Sequence, residues 1–422
     1  MRALQLLTVT AALGAWVPLS IAQEPHPVLT PLYNGGSYVS LIFGENGTLY
    51  GTGEGGTVFQ LTPPASPGAA WTEAVLHDFT GQNGDGMYPF GCPVRGASGT
   101  LYGTTQEGGT TGLGTVYALE PPAAPGGAWT ETVLYNFMGG SDGSYPFTSV
   151  VIGKTGALYG TTAVGGDGGS PVGCFGLGCG TVYGLVPPAS PGGAWTESVL
   201  YSFTGGNDGA SPSAGLVIGP TGEIYGTTEY GGAATDGVVF ELTPPASPGG
   251  AWTETVLHAF TSENGDGVYP YAGLVMGPNG VLYGTTTAGG TSDIGTVFEL
   301  TPPASPAGAW AETVLYSFAG GSDGAEPKGG VVIGNAGVLY GTTLNFGAST
   351  SCPGDNCGTV FALQPSASPG GAWTEIVLHS FAGGSDGAGP WAGLVIGKSG
   401  ALYGTTSAGG PSNAGTVFEV TP

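Results

Sequence analysis

The 422-residue chain carries 5 Lys and Arg against 29 Asp and Glu, a formal charge of −24, yet only 8% of its residues are charged. This balance repels nucleic acid and anionic membranes, and excludes electrostatically driven binding to either. Its 86 glycines would suit disorder, but Val, Ile, Leu, Tyr, Phe and Trp recur on a fixed period, which low-complexity chains lack.

In chain order, Arg2 precedes an apolar run over residues 3–17 and then Ser20-Ile21-Ala22, with small residues where a signal peptidase reads. The pattern predicts a secretory leader over residues 1–22, the run being shorter than the roughly twenty apolar residues of a membrane span. With no second hydrophobic span and no lipidation cysteine, residues 23–422 are expected to form one soluble, exported domain without membrane insertion, and a monomer.

Beyond the leader the chain repeats. "LYGT" or "IYGT" places its tyrosine at Tyr50, Tyr102, Tyr159, Tyr225, Tyr283, Tyr340 and Tyr403. Each copy has an upstream "VLYSF"-like segment, a "GLVIG"-like segment and a downstream "GTVFELTPP"-like segment. All four are short, rich in β-branched and aromatic residues and bounded by Gly, Pro, Asn or Asp, which reads as strands. G-x-x-G linkers such as "GPNG" (277–280) suit hairpins between the second and third segments.

Seven units of four strands predict an all-β, seven-bladed propeller with antiparallel blades. The first unit starts at "VLTPLY" (28–33), without the "AWTE" that precedes this segment elsewhere, and the last ends at "GTVFEV" (415–420). With "GLVIG" innermost and "VLYSF" outermost, the N-terminal strand completes the last blade and closes the ring. That strand order is taken from other propellers.

The unit "LYGTTxxGG…GTVFELTPPxxPGGAWTETVLYSFxGGxDG" resembles the GloVer tandem repeat, and the resemblance covers essentially all of residues 23–422. It implies an exported, propeller-like protein, often with a C-terminal surface anchor in the family. No anchor is recognised here, which speaks against permanent cell attachment. The family brings no settled catalytic residues to carry over.

Most repeated residues read as scaffold. Trp71, Trp129, Trp195, Trp252, Trp310 and Trp373 invite a sugar-stacking reading, but their fixed position predicts packing between blades. His77, His258 and His379 alternate with Tyr135, Tyr201 and Tyr316 inside the outermost strand, which speaks against a catalytic base; His26 lies near the N-terminus, and neither a Ser-His-Asp or Cys-His arrangement nor a His-based metal site is expected. The "DG" aspartates Asp85, Asp142, Asp208, Asp266, Asp323 and Asp386 read as turn residues, with a Ca²⁺-binding ring as the alternative. No other cofactor is expected. Cys174 with Cys179, and Cys352 with Cys357, read as two local disulfides in an oxidising compartment, with zinc as runner-up. Cys92 reads as a buried thiol.

Comparison among units isolates what varies. The residues flanking the proline of "DGxxPx" are expected at the channel mouth: Tyr88 and Phe90, Tyr145 and Phe147, Ser211 and Ser213, Tyr269 and Tyr271, Glu326 and Lys328, Gly389 and Trp391, with Tyr38 from the first unit. Such an aromatic crown suits a carbohydrate, unless the rings plug the channel. Glu326 and Lys328, the charged pair, are either a solvated ion pair or a weak catalytic candidate that orients ligand, with Glu326 as general base.

The leading expectation is a secreted, non-catalytic propeller that binds a polysaccharide or another surface polymer. The alternative is an extracellular glycoside hydrolase or polysaccharide lyase, with carboxylates drawn from Glu107, Glu229, Asp236, Asp293 and Glu326. A scaffold with protein partners only is the third.

Overall fold

Each repeat unit folds as a four-stranded antiparallel blade, and seven blades form a ring. The computed structural model describes residues 27–422 apart from 35–39, 54, 67–68, 125, 169–173, 175, 191, 248, 306–307, 350–351, 353–356 and 369. The expected leader, His26 and Tyr38 lie outside the described residues. In blade 2, the innermost strand is Val94–Arg95, followed outward by Leu101–Thr105, Thr115–Glu120 and Thr130–Asn136. The "GLVIG" segment is therefore innermost and the "VLYSF" segment outermost. The ring closes as expected: Val28–Asn34 pairs antiparallel with Thr416–Thr421, from Val28 opposite Thr421 to Asn34 opposite Thr416.

The repeated motif is explained residue by residue. Its first residue, Leu49, Leu101, Leu158, Ile224, Leu282, Leu339 or Leu402, is fully buried. Its glycine lies beneath an aromatic ring of the neighbouring strand. A Cβ on Gly103 would stand 2.4 Å from the Tyr117 hydroxyl, and one on Gly284 2.4 Å from Phe298. The threonines divide two tasks. Thr105, Thr162, Thr286, Thr343 and Thr406 bond a threonine of the third strand at 2.8–3.0 Å. Thr104, Thr227, Thr285 and Thr342 instead donate to a carbonyl of the next blade, at Thr148, Ala272, Gly329 and Ala392.

Blades cohere through aromatic pairs. Each repeated tryptophan meets the "LYGT" tyrosine of the preceding blade edge-on, as Trp129 with Tyr50 or Trp310 with Tyr225, at 6.0–6.5 Å between centroids. The phenylalanine ending each "VLYSF" segment packs on the third strand of the following blade, as Phe260 on Phe298 at 5.1 Å. The scaffold reading of these tryptophans is borne out. Among the described residues no helix is long and apolar enough to cross a membrane.

Both expected disulfides are formed, Cys174–Cys179 and Cys352–Cys357, and zinc coordination by these four residues is thereby overturned. Cys92 is buried and free, and burial raises its thiol far above the ordinary range.

Removing residues 28–34 takes away the closing strand and leaves Thr416–Thr421 as an open sheet edge, which templates pairing with other chains. The expected result is a lowered Tm and concentration-dependent association in size-exclusion chromatography. An unchanged Tm with monodisperse elution would mean that the ring holds without that strand.

Candidate functional site

The loop entering each innermost strand builds the mouth of the channel. Its pre-proline residue is Tyr88, Tyr145, Ser211, Tyr269, Glu326 or Gly389, and all six have φ between 53° and 60°. Left-handed backbone is uncommon for non-glycine residues, so something must hold it. Two hydrogen bonds do so in blade after blade. The Glu326 N–H donates to the Ile294 carbonyl, and the Glu326 carbonyl accepts from Leu344 N–H. Ser211 and Gly389 use the carbonyls of Cys179 and Cys357, so each disulfide fixes the residue that anchors the following loop.

This geometry separates the residues on either side of the proline. The residues after it, Phe90, Phe147, Ser213, Tyr271, Lys328 and Trp391, rim a mouth cavity of about 330 Å³ to which all seven blades contribute, Ser40 coming from the first. The residues before it, Tyr88, Tyr145, Ser211, Tyr269 and Glu326, do not line that cavity. Beneath the rim the inner wall is largely small-residue backbone. A Cβ on Gly330 would lie 2.8 Å from the Gly273 carbonyl oxygen. The rings therefore rim the channel and leave space between them.

Lys328 sits at this mouth with its Nζ 4.0 Å from the Trp391 ring centroid and 5.7 Å from that of Tyr271. The two rings meet edge-on at 6.2 Å, and Phe90 meets Phe147 of the next blade at 5.8 Å. A cation over aromatic faces is worth about 0.5–2 kcal/mol depending on desolvation. The ion pair considered between Glu326 and Lys328 does not form among the described residues. The charge of Lys328 instead acts on the carboxyl of Glu229, in the loop after the second strand of blade 4. Burial raises the Glu229 carboxyl, while a hydrogen bond from Tyr230 and the Lys328 charge pull it back. Tyr230 in turn packs on Tyr269 at 5.6 Å, and burial with the Glu229 contact pushes its phenol up to about 12.

The remaining carboxylates considered do not line the cavity. Glu107 belongs to a two-residue strand paired with Gly86–Met87, and Asp293 caps the Gly289 N–H at 3.1 Å. Asp236 offers its carbonyl to Tyr269 N–H. No carboxylate lines the mouth cavity among the described residues, so two carboxylates do not face one another across it. Sequence reasoning missed Tyr230. The signal was present in "TTEYGG" (227–232), where other units carry "TTTAGG" or "TTSAGG".

Residues 37–175, 176–352 and 247–422 match the Gloeobacter/Verrucomicrobia repeat. The chain belongs to that family. No curated protein matches this member of the Gloeobacter/Verrucomicrobia repeat family. Its fold is similar to that of a candidate 6-phosphogluconolactonase from Bacteroides uniformis, at 14% identity and TM-score 0.51 over 85% of this chain and 88% of the other. It is also similar to an enzyme of Carbohydrate-Active Enzymes family AA12 from Trichoderma reesei, at 15% identity and TM-score 0.43 over 95% and 96%. The PQQ domain of pyranose dehydrogenase from Coprinopsis cinerea follows, at 14% and 0.44 over 94% and 95%. At such identities the likeness concerns the propeller fold alone. Two disulfides and an exported-repeat family fit an extracellular or periplasmic location.

A second set of polar groups lies where the outer strands of adjacent blades of this Gloeobacter/Verrucomicrobia repeat ring meet. Every "DG" aspartate considered above accepts the backbone N–H of a residue four or five positions earlier, at 2.5–3.0 Å, which is the expected turn role. Each also bonds the His or Tyr of its outer strand: His77, Tyr135, Tyr201, His258, Tyr316 or His379. Imidazole and phenol interchange there because either can donate to a carboxylate. At five junctions a glutamate from the next blade adds to this arrangement. Glu131, Glu197, Glu254, Glu312 and Glu375 each have an Oε1 that is shielded from solvent and accepts no hydrogen bond from a described group.

Burial, then the nearby aspartate, pushes Glu197, Glu254 and Glu375 up to about 7 from an ordinary 4.5. A carboxyl that titrates higher in the folded state stabilises it fully below pH 4.5, and this contribution is lost as pH rises through about 7. Urea unfolding midpoints are therefore expected to fall between pH 5 and pH 8. Because general repulsion in an acidic chain adds to the trend, the check is the variant with Glu197, Glu254 and Glu375 all changed to Gln, whose midpoint should vary less over that range. Parallel curves for variant and parent would refute the assignment.

Proposed function

We propose that the protein is an exported binding propeller whose channel mouth takes a hydroxyl-rich polymer, a neutral polysaccharide being the class that fits best. The observation that carries this reading is Lys328 held over Trp391 and Tyr271 at the rim of an open, seven-sided cavity. Aromatic faces stack on sugar rings, and a lysine ammonium offers three donors to hydroxyl oxygens. A polyanion is disfavoured by the formal charge of −24. Phe90, 43% exposed, and Phe147 extend the apolar surface on the opposite side. Tyr88, 46% exposed, and Tyr269, 36% exposed, stand outside the cavity and would meet only a ligand that extends beyond it. Tyr145 and Glu326 are partly buried and likewise do not line it.

A glycoside hydrolase commonly needs two carboxylates about 5–9.5 Å apart across its cleft. None lines the mouth among the described residues, which favours binding over cleavage.

The test is retention on immobilised neutral polysaccharides, followed by calorimetry on any that bind. Trp391→Ala and Tyr271→Ala should each weaken binding at least about tenfold, as expected for loss of a stacking surface worth 1.4 kcal/mol or more. Lys328→Ala should weaken it less, and Tm should change little in all three. Counting new chain ends over time separates binding from turnover. Retention unaffected by the aromatic substitutions, or many chain ends per protein molecule, would overturn the reading.

A further inference from the structure

The blade junctions are not equivalent in their chemistry. Between blades 1 and 2, His77, Asp85 and Glu131 each bring one ligand atom to a common point, with all three atoms within 4.8 Å of one another. His258, Asp266 and Glu312 do the same between blades 4 and 5. At three other junctions the imidazole is replaced by the phenol of Tyr135, Tyr201 or Tyr316, a far weaker metal ligand while protonated.

We propose that the two histidine junctions are metal sites, each taking one zinc-like divalent transition metal through an imidazole nitrogen, an aspartate oxygen and a glutamate oxygen. One nitrogen with two carboxylates suits Zn²⁺ or Co²⁺, leaving a fourth position for water, whereas Ca²⁺ is served by oxygen ligands alone. Three observations support the assignment. The histidine Nε2 already points at the aspartate, at 3.4 Å for His77 and 3.1 Å for His258. The glutamate supplies the third arm: Oε1 of Glu131 and of Glu312 is shielded from solvent and accepts no hydrogen bond from a described group, as at the tyrosine junctions, but only here does an imidazole nitrogen stand beside it. A cleft lined by Thr261, Asn264 and Thr291 opens onto Asp266 and Glu312, giving an entry path and room for a water ligand.

Binding exchanges the Nε2–H bond to aspartate for an Nε2–metal bond. A neutral ring that carries its proton on Nε2 takes up the Nδ1–H tautomer through solvent, so that Nε2 gives its lone pair to the metal and the imidazole stays neutral. Each metal would join two neighbouring blades, because the histidine and the glutamate lie on different outer strands. His379 does not qualify, since the strand facing it is the N-terminal one, which puts Leu29 opposite Val420 where Glu254 stands opposite Leu242.

The test is titration of the folded protein, stripped with chelator, with Zn²⁺ by calorimetry and with Co²⁺ by visible absorption. Two ions per chain are expected, with Co²⁺ d–d bands. His77→Tyr and His258→Tyr should each reduce the count to one and together to zero. Folding should survive, because the chain itself uses tyrosine at this place in three blades; Tm without metal checks this. His379→Tyr should leave two. No binding at millimolar metal, an unchanged count in the double variant, or five ions per chain would each overturn the proposal.

Discussion

The ring depends on the aromatic side chain that lies over the glycine of each Tyr-Gly-Thr segment. Any Cβ at Gly103 or Gly284 would collide with Tyr117 or Phe298, so the second and third strands could not keep these rings between them. Those same rings receive the terminal phenylalanine of the preceding blade, as Phe137 on Tyr183 or Phe260 on Phe298. Packing within a blade and cohesion between blades are thus one contact network. Burying a phenylalanine stabilises by about 1.5–3 kcal/mol, and the ring repeats that contribution at one junction after another.

Upon this scaffold the mouth is built by a loop under backbone strain. The left-handed residue before each proline is held by the long loop of the previous blade, so variation in those loops reaches the channel rim indirectly. Cys357 illustrates the coupling. Its sulfur is bonded to Cys352, and its carbonyl receives the Gly389 N–H, two residues before Trp391. The disulfide is remote from the cavity in sequence, yet it steadies the ring over which Lys328 lies.

Much of the architecture was legible in the sequence because a repeated unit reports its own constraints. The tyrosine of "LYGT", the strand boundaries and the strand shared between the ends of the chain all follow from comparing copies. The site was legible only in part. Glu326 and Lys328 are two residues apart and read as partners, but the left-handed backbone at Glu326 followed by Pro327 sends them to different surroundings. What Lys328 does meet, the Trp391 and Tyr271 rings, and the Glu229 carboxyl on which its charge acts belong to other blades, and no spacing rule connects them. The exchange of His for Tyr around the ring was visible, whereas its reason, a shared aspartate acceptor, required the turn to be seen folded.

The pairing of Val28–Asn34 with Thr416–Thr421 also bears on how the protein is made. Val28–Asn34 finds its neighbour only when Thr416–Thr421, nearly four hundred residues later in sequence, has been made. Six blades can assemble in order as the chain emerges, each from nearby segments, but the seventh waits for two segments far apart in sequence. Until then two sheet edges stay unpaired, and the nascent propeller is an open arc that depends on Thr416–Thr421 to become a ring.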